Sequence, residues 1–185
     1  MSKSLKKVFL DCGAHNGESI DEFYRLFKDA DEYEIHSFEP NPDMWPLLEK
    51  KKTILHKVGV WGDNDEIDYY KGENSEGGTF LRNKASGKVD YNNPIRAEVV
   101  RLSEWIKKNF DKEDYIILKI DIEGAEYWVL DDLFDTGIMG WINELYGELH
   151  GTGPNGRILS LPKSTYDEMV KRLDKAGIEL KDWYN

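Results

Sequence analysis

Six side chains in this sequence stand where chemistry is commonly done: Asp11, Glu39, Asp121, Glu123, Glu148 and His150. Each ends or follows a short apolar run. The run Tyr115-Ile116-Ile117-Leu118-Lys119-Ile120 breaks abruptly into Asp121-Ile122-Glu123-Gly124-Ala125-Glu126. A strand buried on both faces of a parallel sheet reads this way, and ligands of such sheets bind at the carboxyl ends of the strands. Carboxylates gathered there with a histidine suit proton transfer or the grip of a polar ligand. The structural alternative is plain: Asp and Gly stop strands, and Glu126 favours a helix N-terminus.

The elements that must carry these groups follow in order. Lys7-Val8-Phe9-Leu10-Asp11-Cys12 is an apolar strand that runs into Gly13-Ala14-His15-Asn16-Gly17. Residues 19–27 then place Ile20, Phe23, Tyr24 and Phe27 at helical spacing. Strand, glycine turn and helix open a nucleotide-binding βαβ unit. The turn is not Gly-x-Gly-x-x-Gly, and Asp11 precedes its first glycine. That suits a ligand bearing an ammonium and a carboxylate, such as S-adenosylmethionine, better than a diphosphate. Glu34-Ile35-His36-Ser37-Phe38-Glu39 is a second strand, stopped by Pro40-Asn41-Pro42. Glu39 is expected to bind ribose hydroxyls, and Asp43 to cap a short helix over 44–50.

Residues 53–60 read as a third strand, with Val60 to Asp63 as a resting place for adenine, and 67–71 as a further extended segment. The polar stretch 72–97 is either a surface loop or a lid over the substrate. Residues 98–101 are extended, 102–110 form a short helix, and 127–134 form the helix behind the central strand. Residues 144–151 are expected to be a strand delivering Glu148 and His150 to one side, with a glycine-rich turn over 151–156. An amphipathic helix over 164–176 ends at Gly177, and 178–183 form a terminal strand.

With 185 residues, 39% of them hydrophobic, one domain spanning 1–185 is expected to bury a sizeable core. A net charge of −11 argues against nucleic acid or an anionic membrane surface as partner. The single Cys12 excludes an internal disulfide and fits a reducing compartment. No run approaches the ~18 apolar residues of a membrane span, and the first residues are too polar for a signal peptide. A cytoplasmic location without membrane insertion is expected.

The strings Asp11-Cys12-Gly13-Ala14-His15-Asn16-Gly17, Phe38-Glu39-Pro40-Asn41-Pro42 and Lys119-Ile120-Asp121-Ile122-Glu123-Gly124-Ala125-Glu126 occur in the order seen in FkbM-type methyltransferases. Leu102-Ser103-Glu104-Trp105-Ile106 and Glu148-Leu149-His150 extend the resemblance across most of the chain. It implies a Rossmann-like class I α/β fold, with a mostly parallel seven-stranded sheet and helices on both faces. It also implies S-adenosylmethionine as cofactor and O-methylation of a sugar or other small hydroxylated acceptor. Asp11, Gly13, Ala14, His15, Asn16 and Gly17 would then line the methionine end. Glu39, Pro40, Asn41 and Val60 would line the nucleoside, and Asp121 would sit beside the methyl donor. Two departures stand out. His15 replaces a glycine common in related enzymes, and the first strand lies near the start of the sequence, leaving open what covers the acceptor.

Methyl transfer to a hydroxyl needs a base. His150 is the candidate by type, with Asp121 and Glu148 as alternatives and Lys119 as a cationic neighbour. Asp121, Glu123 and Glu148 are alternatively ligands of Mg²⁺. Any of the six tryptophans, Trp45 and Trp183 among them, is a candidate to stack on a sugar. An NAD-dependent oxidoreductase and a non-catalytic cofactor-binding module are the rival readings.

Overall fold

The computed structural model describes residues 5–73, 77–82, 84–151 and 161–183. Its centre is a six-stranded sheet in the order β3-β2-β1-β7-β8-β9, formed by Ile54–His56, Tyr33–Phe38, Lys7–Cys12, Tyr115–Ile120, Ile142–Gly147 and Leu180–Lys181. Every neighbouring pair is parallel. From β1 the chain builds outward to β2 and β3, then returns to add β7, β8 and β9 on the other side. The order therefore reverses between β1 and β7, where ligands of open α/β sheets bind.

Alternation along the central strands makes two cores. Val8, Leu10 and Cys12 of β1, with Ile116, Leu118 and Ile120 of β7, pack against helices α3 (Leu102–Asn109), α4 (Glu126–Asp135) and α5 (Lys163–Ala176). Phe9 and Ile117 face the other way, onto Ile20 and Phe23 of α1 (Glu18–Leu26). The Phe9 and Phe23 rings stack at 4.2 Å, and Trp183 lies over Phe9 at 5.1 Å, so that tryptophan is core. Helices thus cover both faces of a mostly parallel sheet, as the Rossmann-like reading requires.

Among the described residues the main sheet has six strands, against the expected seven. The region 53–60 does not form one strand. His56 ends β3 on the main sheet, and Gly59–Trp61 (β4) joins a separate three-stranded sheet with Ile95–Arg101 (β6) and Asp65–Tyr69 (β5). Gly59 is tied to that position by Phe80, whose ring a Cβ would meet at 2.5 Å.

Asp43 is not a helix cap. The short helix α2 (Trp45–Leu48) has Met44 at its N-cap and no side-chain capping bond. Pro46 in its first turn has no N–H to satisfy, and Asp43 pairs with Lys71 at 2.6 Å.

Strand β8 stops at Gly147, earlier than expected. Gly147 has φ +141°, and a Cβ there would lie 1.8 Å from the Ile120 carbonyl oxygen. Only glycine turns the chain so close to β7, and Glu148 to His150 consequently leave the sheet. Helix α5 ends as expected, with Gly177 at φ +68° and Ile178 N–H donating to Leu173 O at 3.0 Å. Most of the glycine-rich turn expected over 151–156 lies outside the described residues. Among the described residues no helix is long and apolar enough to cross a membrane.

Candidate active site

Two turns face each other across the reversal point. After β1, Gly13 takes φ +82°, and a Cβ on it would stand 1.9 Å from the Asp121 carbonyl oxygen. Gly13 and Ala14 both donate to Phe38 O, at 3.1 and 3.2 Å. His15 follows at φ +48°, and its N–H donates to Glu39 Oε2 at 2.8 Å. Asn41 N–H donates to Glu39 Oε1, also at 2.8 Å. Burial pushes the Glu39 carboxyl up to about 7, although both N–H groups and Lys119 favour its charge.

Asp11 is wholly buried and is not among the cleft-lining residues. Its register partner on β7 is Lys119, whose ammonium lies 3.3 Å from Oδ1 and donates to Gly13 O at 2.9 Å. Asp11 Oδ2 accepts from the Ser19 hydroxyl at 2.6 Å. Asp11 therefore braces the glycine turn from behind the cleft wall. Gly17, at φ +85°, starts α1 and also stands off the cleft.

The second turn, after β7, is the more constrained. Glu123 has φ +56° and Gly124 φ +111°. A left-handed glutamate persists only where its surroundings over-determine it. Glu126, fully buried, accepts from Ile122 N–H and Gly124 N–H, each at 2.9 Å, and holds His150 Nδ1 at 2.9 Å. The other ring nitrogen of His150 lies 3.1 Å from Glu123 Oε2, 3.8 Å from Asp121 Oδ1 and 3.9 Å from Glu148 Oε2. Burial pulls the imidazole down. The hydrogen bond to Glu126 and the charges of Glu126, Glu123 and Asp121 outweigh it and push the group up to about 9.

Pushed up in this way, the ring keeps its proton at neutral pH; Nδ1 is hydrogen-bonded to Glu126, and Nε2 stands at ion-pair distance from Glu123. To act as the general base expected of it, His150 would first have to give up that proton. Glu148 stands at the edge with a side chain 57% exposed.

The expected Mg²⁺ triad is also rearranged. Asp121, Glu123 and His150 have donor atoms within 4.8 Å of one another, and Glu148 is not in that set. Mg²⁺ prefers an octahedron of oxygens, whereas an imidazole with two carboxylates suits a transition metal. Glu123 Oε2 is moreover already paired with Lys84 at 2.6 Å. Lys84, Lys119 and His150 supply the positive charge that the clustered acids need, so the donor set does not fit Mg²⁺.

Between the turns lies a cleft of about 920 Å³, partly open to solvent. Ala14, His15, Asn16, Glu39, Pro40, Val60, Lys119, Asp121 and Glu123 all contribute to its wall, as do Gly13 and Phe38. Asn41 does not; it is 1% exposed and serves Glu39 through its N–H. The far wall comes from residues without a sequence signal: Tyr69, Gly77, Gly78 and Phe80. Burial, and then the charges of Glu39, Glu123 and Asp43, hold the Tyr69 phenol well above its usual range, so it stays a neutral donor. Trp61 stacks on Trp128 at 5.3 Å and meets Phe80 edge-on at 6.0 Å.

The model of the methyltransferase FkbM domain matches residues 11–180. Among solved structures, the chain is similar to methyltransferase FkbM from Methylobacillus flagellatus KT, at 17% identity and a TM-score of 0.44. That alignment covers 72% of this chain and 30% of the other, so the chain spans less than a third of that protein's crystallised length. No curated protein matches. The three motifs, the switch-point cleft between them and the domain match together place this chain in the FkbM methyltransferase domain family.

Proposed function

We propose that the chain is an S-adenosylmethionine-dependent O-methyltransferase acting on a hydroxyl of a sugar or another small hydroxylated acceptor. The observation that carries this reading is the convergence of Glu39, the Gly13–Asn16 turn and Asp121 on one cleft at the sheet's switch point. When bound, S-adenosylmethionine supplies an electrophilic methyl group on a sulfonium. The chain's residues fit such a ligand. Glu39 retains lone pairs for ribose hydroxyls beyond the two N–H groups it already holds. Phe38, Val60 and Phe80 offer an apolar slot for a flat base, and the open turn at Ala14 to Asn16 receives a polar tail.

Asp121 takes the proton from the acceptor hydroxyl. It lines the cleft, its side chain is 31% exposed, and its Oδ2 lies 4.0 Å from Lys119. His150 holds the neighbouring acids in place as a cation instead of acting as a base. Tyr69, Gly78 and Phe80 narrow the cleft and limit water at the reacting centre. The chain then works as a single domain, with the described part of 77–91 as a strap on the substrate side.

Titration calorimetry with S-adenosylhomocysteine and with NAD, followed by mass-spectrometric screening of hydroxylated acceptors, tests the reading. S-Adenosylhomocysteine is expected to bind and NAD is not. Asp121→Asn lowers methyl transfer by roughly 10²- to 10⁴-fold while S-adenosylhomocysteine affinity stays. NAD binding alone, or a variant that turns over like wild type, overturns the assignment.

A further inference from the structure

We infer that Glu123 is an acceptor-binding residue and that Lys84, carried on the strap of residues 77–82 and 84–91, is the residue that positions it. This rests on the methyltransferase reading above and adds the acceptor side of the same cleft.

Glu123 is held from several directions. Its carbonyl accepts from the Thr79 hydroxyl at 2.8 Å, and the flanking N–H groups of Ile122 and Gly124 are bound by Glu126. Its Oε2 is met by Lys84 at 2.6 Å and by His150 at 3.1 Å. So many contacts on one glutamate in left-handed backbone mark a side chain whose direction matters. With Oε2 engaged by two cations, the carboxylate presents Oε1 on the cleft side, near Gly77. A carboxylate oxygen beside Asp121 accepts a hydrogen bond from a hydroxyl neighbouring the one that reacts. The acceptor this favours is a neutral polyol; a carboxylated or phosphorylated one meets two acids.

Lys84 reaches this place only because the strap is shaped for it. Its side chain is 1% exposed, and its ammonium also donates to Gly77 O at 2.5 Å. Its own N–H donates to the Tyr91 hydroxyl at 2.8 Å, and that hydroxyl donates back to Lys84 O at 2.8 Å. Gly78 lets the strap press on Tyr69, whose hydroxyl oxygen a Cβ would meet at 2.1 Å. A buried lysine spent on one carboxylate oxygen of the cleft wall fixes which oxygen faces the substrate.

A double-mutant cycle on the full-length enzyme tests this, using Lys84→Met, Glu123→Gln and the pair. Lys84→Met is expected to leave S-adenosylhomocysteine affinity within about twofold and to raise the acceptor KM about tenfold or more, with a smaller change in kcat. Lys84→Arg recovers part of the loss. In the Glu123→Gln background the lysine substitution adds little, because its effect runs through that carboxylate. If Lys84→Met does not fold, Lys84→Gln, which also removes the charge, carries the same cycle. An unchanged acceptor KM, or a penalty that persists undiminished without Glu123, overturns the inference while the methyltransferase reading stands. Failure of wild type to bind S-adenosylhomocysteine or to methylate any acceptor overturns that reading instead.

Discussion

Glu126→Gln is the sharpest test of the site's electrostatics. Glu126 is fully buried, is not itself part of the cleft wall, and serves three donors: two backbone N–H groups and the His150 ring. The histidine stands at about 9 when folded, against an ordinary 6.5. That difference is worth about 3 kcal/mol of stability when the ring is charged. Its sign is fixed by the direction of the shift. A folded pKa above the unfolded one means the native chain holds the proton more tightly. The stabilisation is therefore complete below pH 6.5 and is lost as pH rises through about 9.

Glutamine removes the hydrogen-bonded charge that does most to raise the group. It also turns an NH₂ toward a donor, which costs about 1–3 kcal/mol more. Urea unfolding followed by circular dichroism at pH 6, 8 and 10 reads the result. The variant is expected to lie about 3–5 kcal/mol below wild type at the acid end, and the gap to shrink by about 2–3 kcal/mol toward the alkaline end. Other titrating groups, such as Glu39 and Cys12, affect both curves alike, so the difference isolates His150. A gap that stays constant with pH, or one below about 1 kcal/mol throughout, refutes the coupled acid–imidazolium cluster.

Three further outcomes follow from the same geometry. The proposed ribose contact requires an ionised Glu39, whose carboxyl stands at about 7; S-adenosylhomocysteine affinity should therefore fall as pH drops below that value. Calorimetry across pH 5.5 to 8 checks it, and Glu39→Gln should bind weakly with no such slope. Gly13→Ala forces a Cβ to 1.9 Å from the Asp121 carbonyl oxygen at φ +82°, which should cost about 2–3 kcal/mol or more. A melting-point loss below about 2 °C would show that the two turns are not locked together. Excess EDTA should leave turnover unchanged, because lysines and an imidazolium already balance the acids; activity lost to EDTA and restored by a divalent cation would overturn that balance.

What the sequence made legible, and what it hid, divides along one physical line. Asp121 and Glu39 were readable because a strand buried on both faces must be apolar throughout, so a carboxylate at its end is conspicuous. Gly13 was readable because its turn has a local signature. The role of Asp11 was not, since it depends on register: Asp11 pairs with Lys119 across β1 and β7, and no local pattern reports which residues of two parallel strands become neighbours. His150 shows the same limit in another form. Its residue type suggested a base, but its proton is set by Glu126, 24 residues away, which reads locally as an ordinary helix start.

Lys84 was the most deeply hidden. It sits in a polar stretch whose composition announces only a loop, and its partner Glu123 belongs to a different turn. Binding and catalytic residues are disproportionately carried on loops positioned by a rigid scaffold. Such residues cannot be found by periodicity, because the loop has none. They are found by asking which buried charge on the loop finds an opposite charge on the scaffold. Among the described residues that question returns one pair, Lys84 with Glu123, and Glu123 stands in the cleft wall beside Asp121.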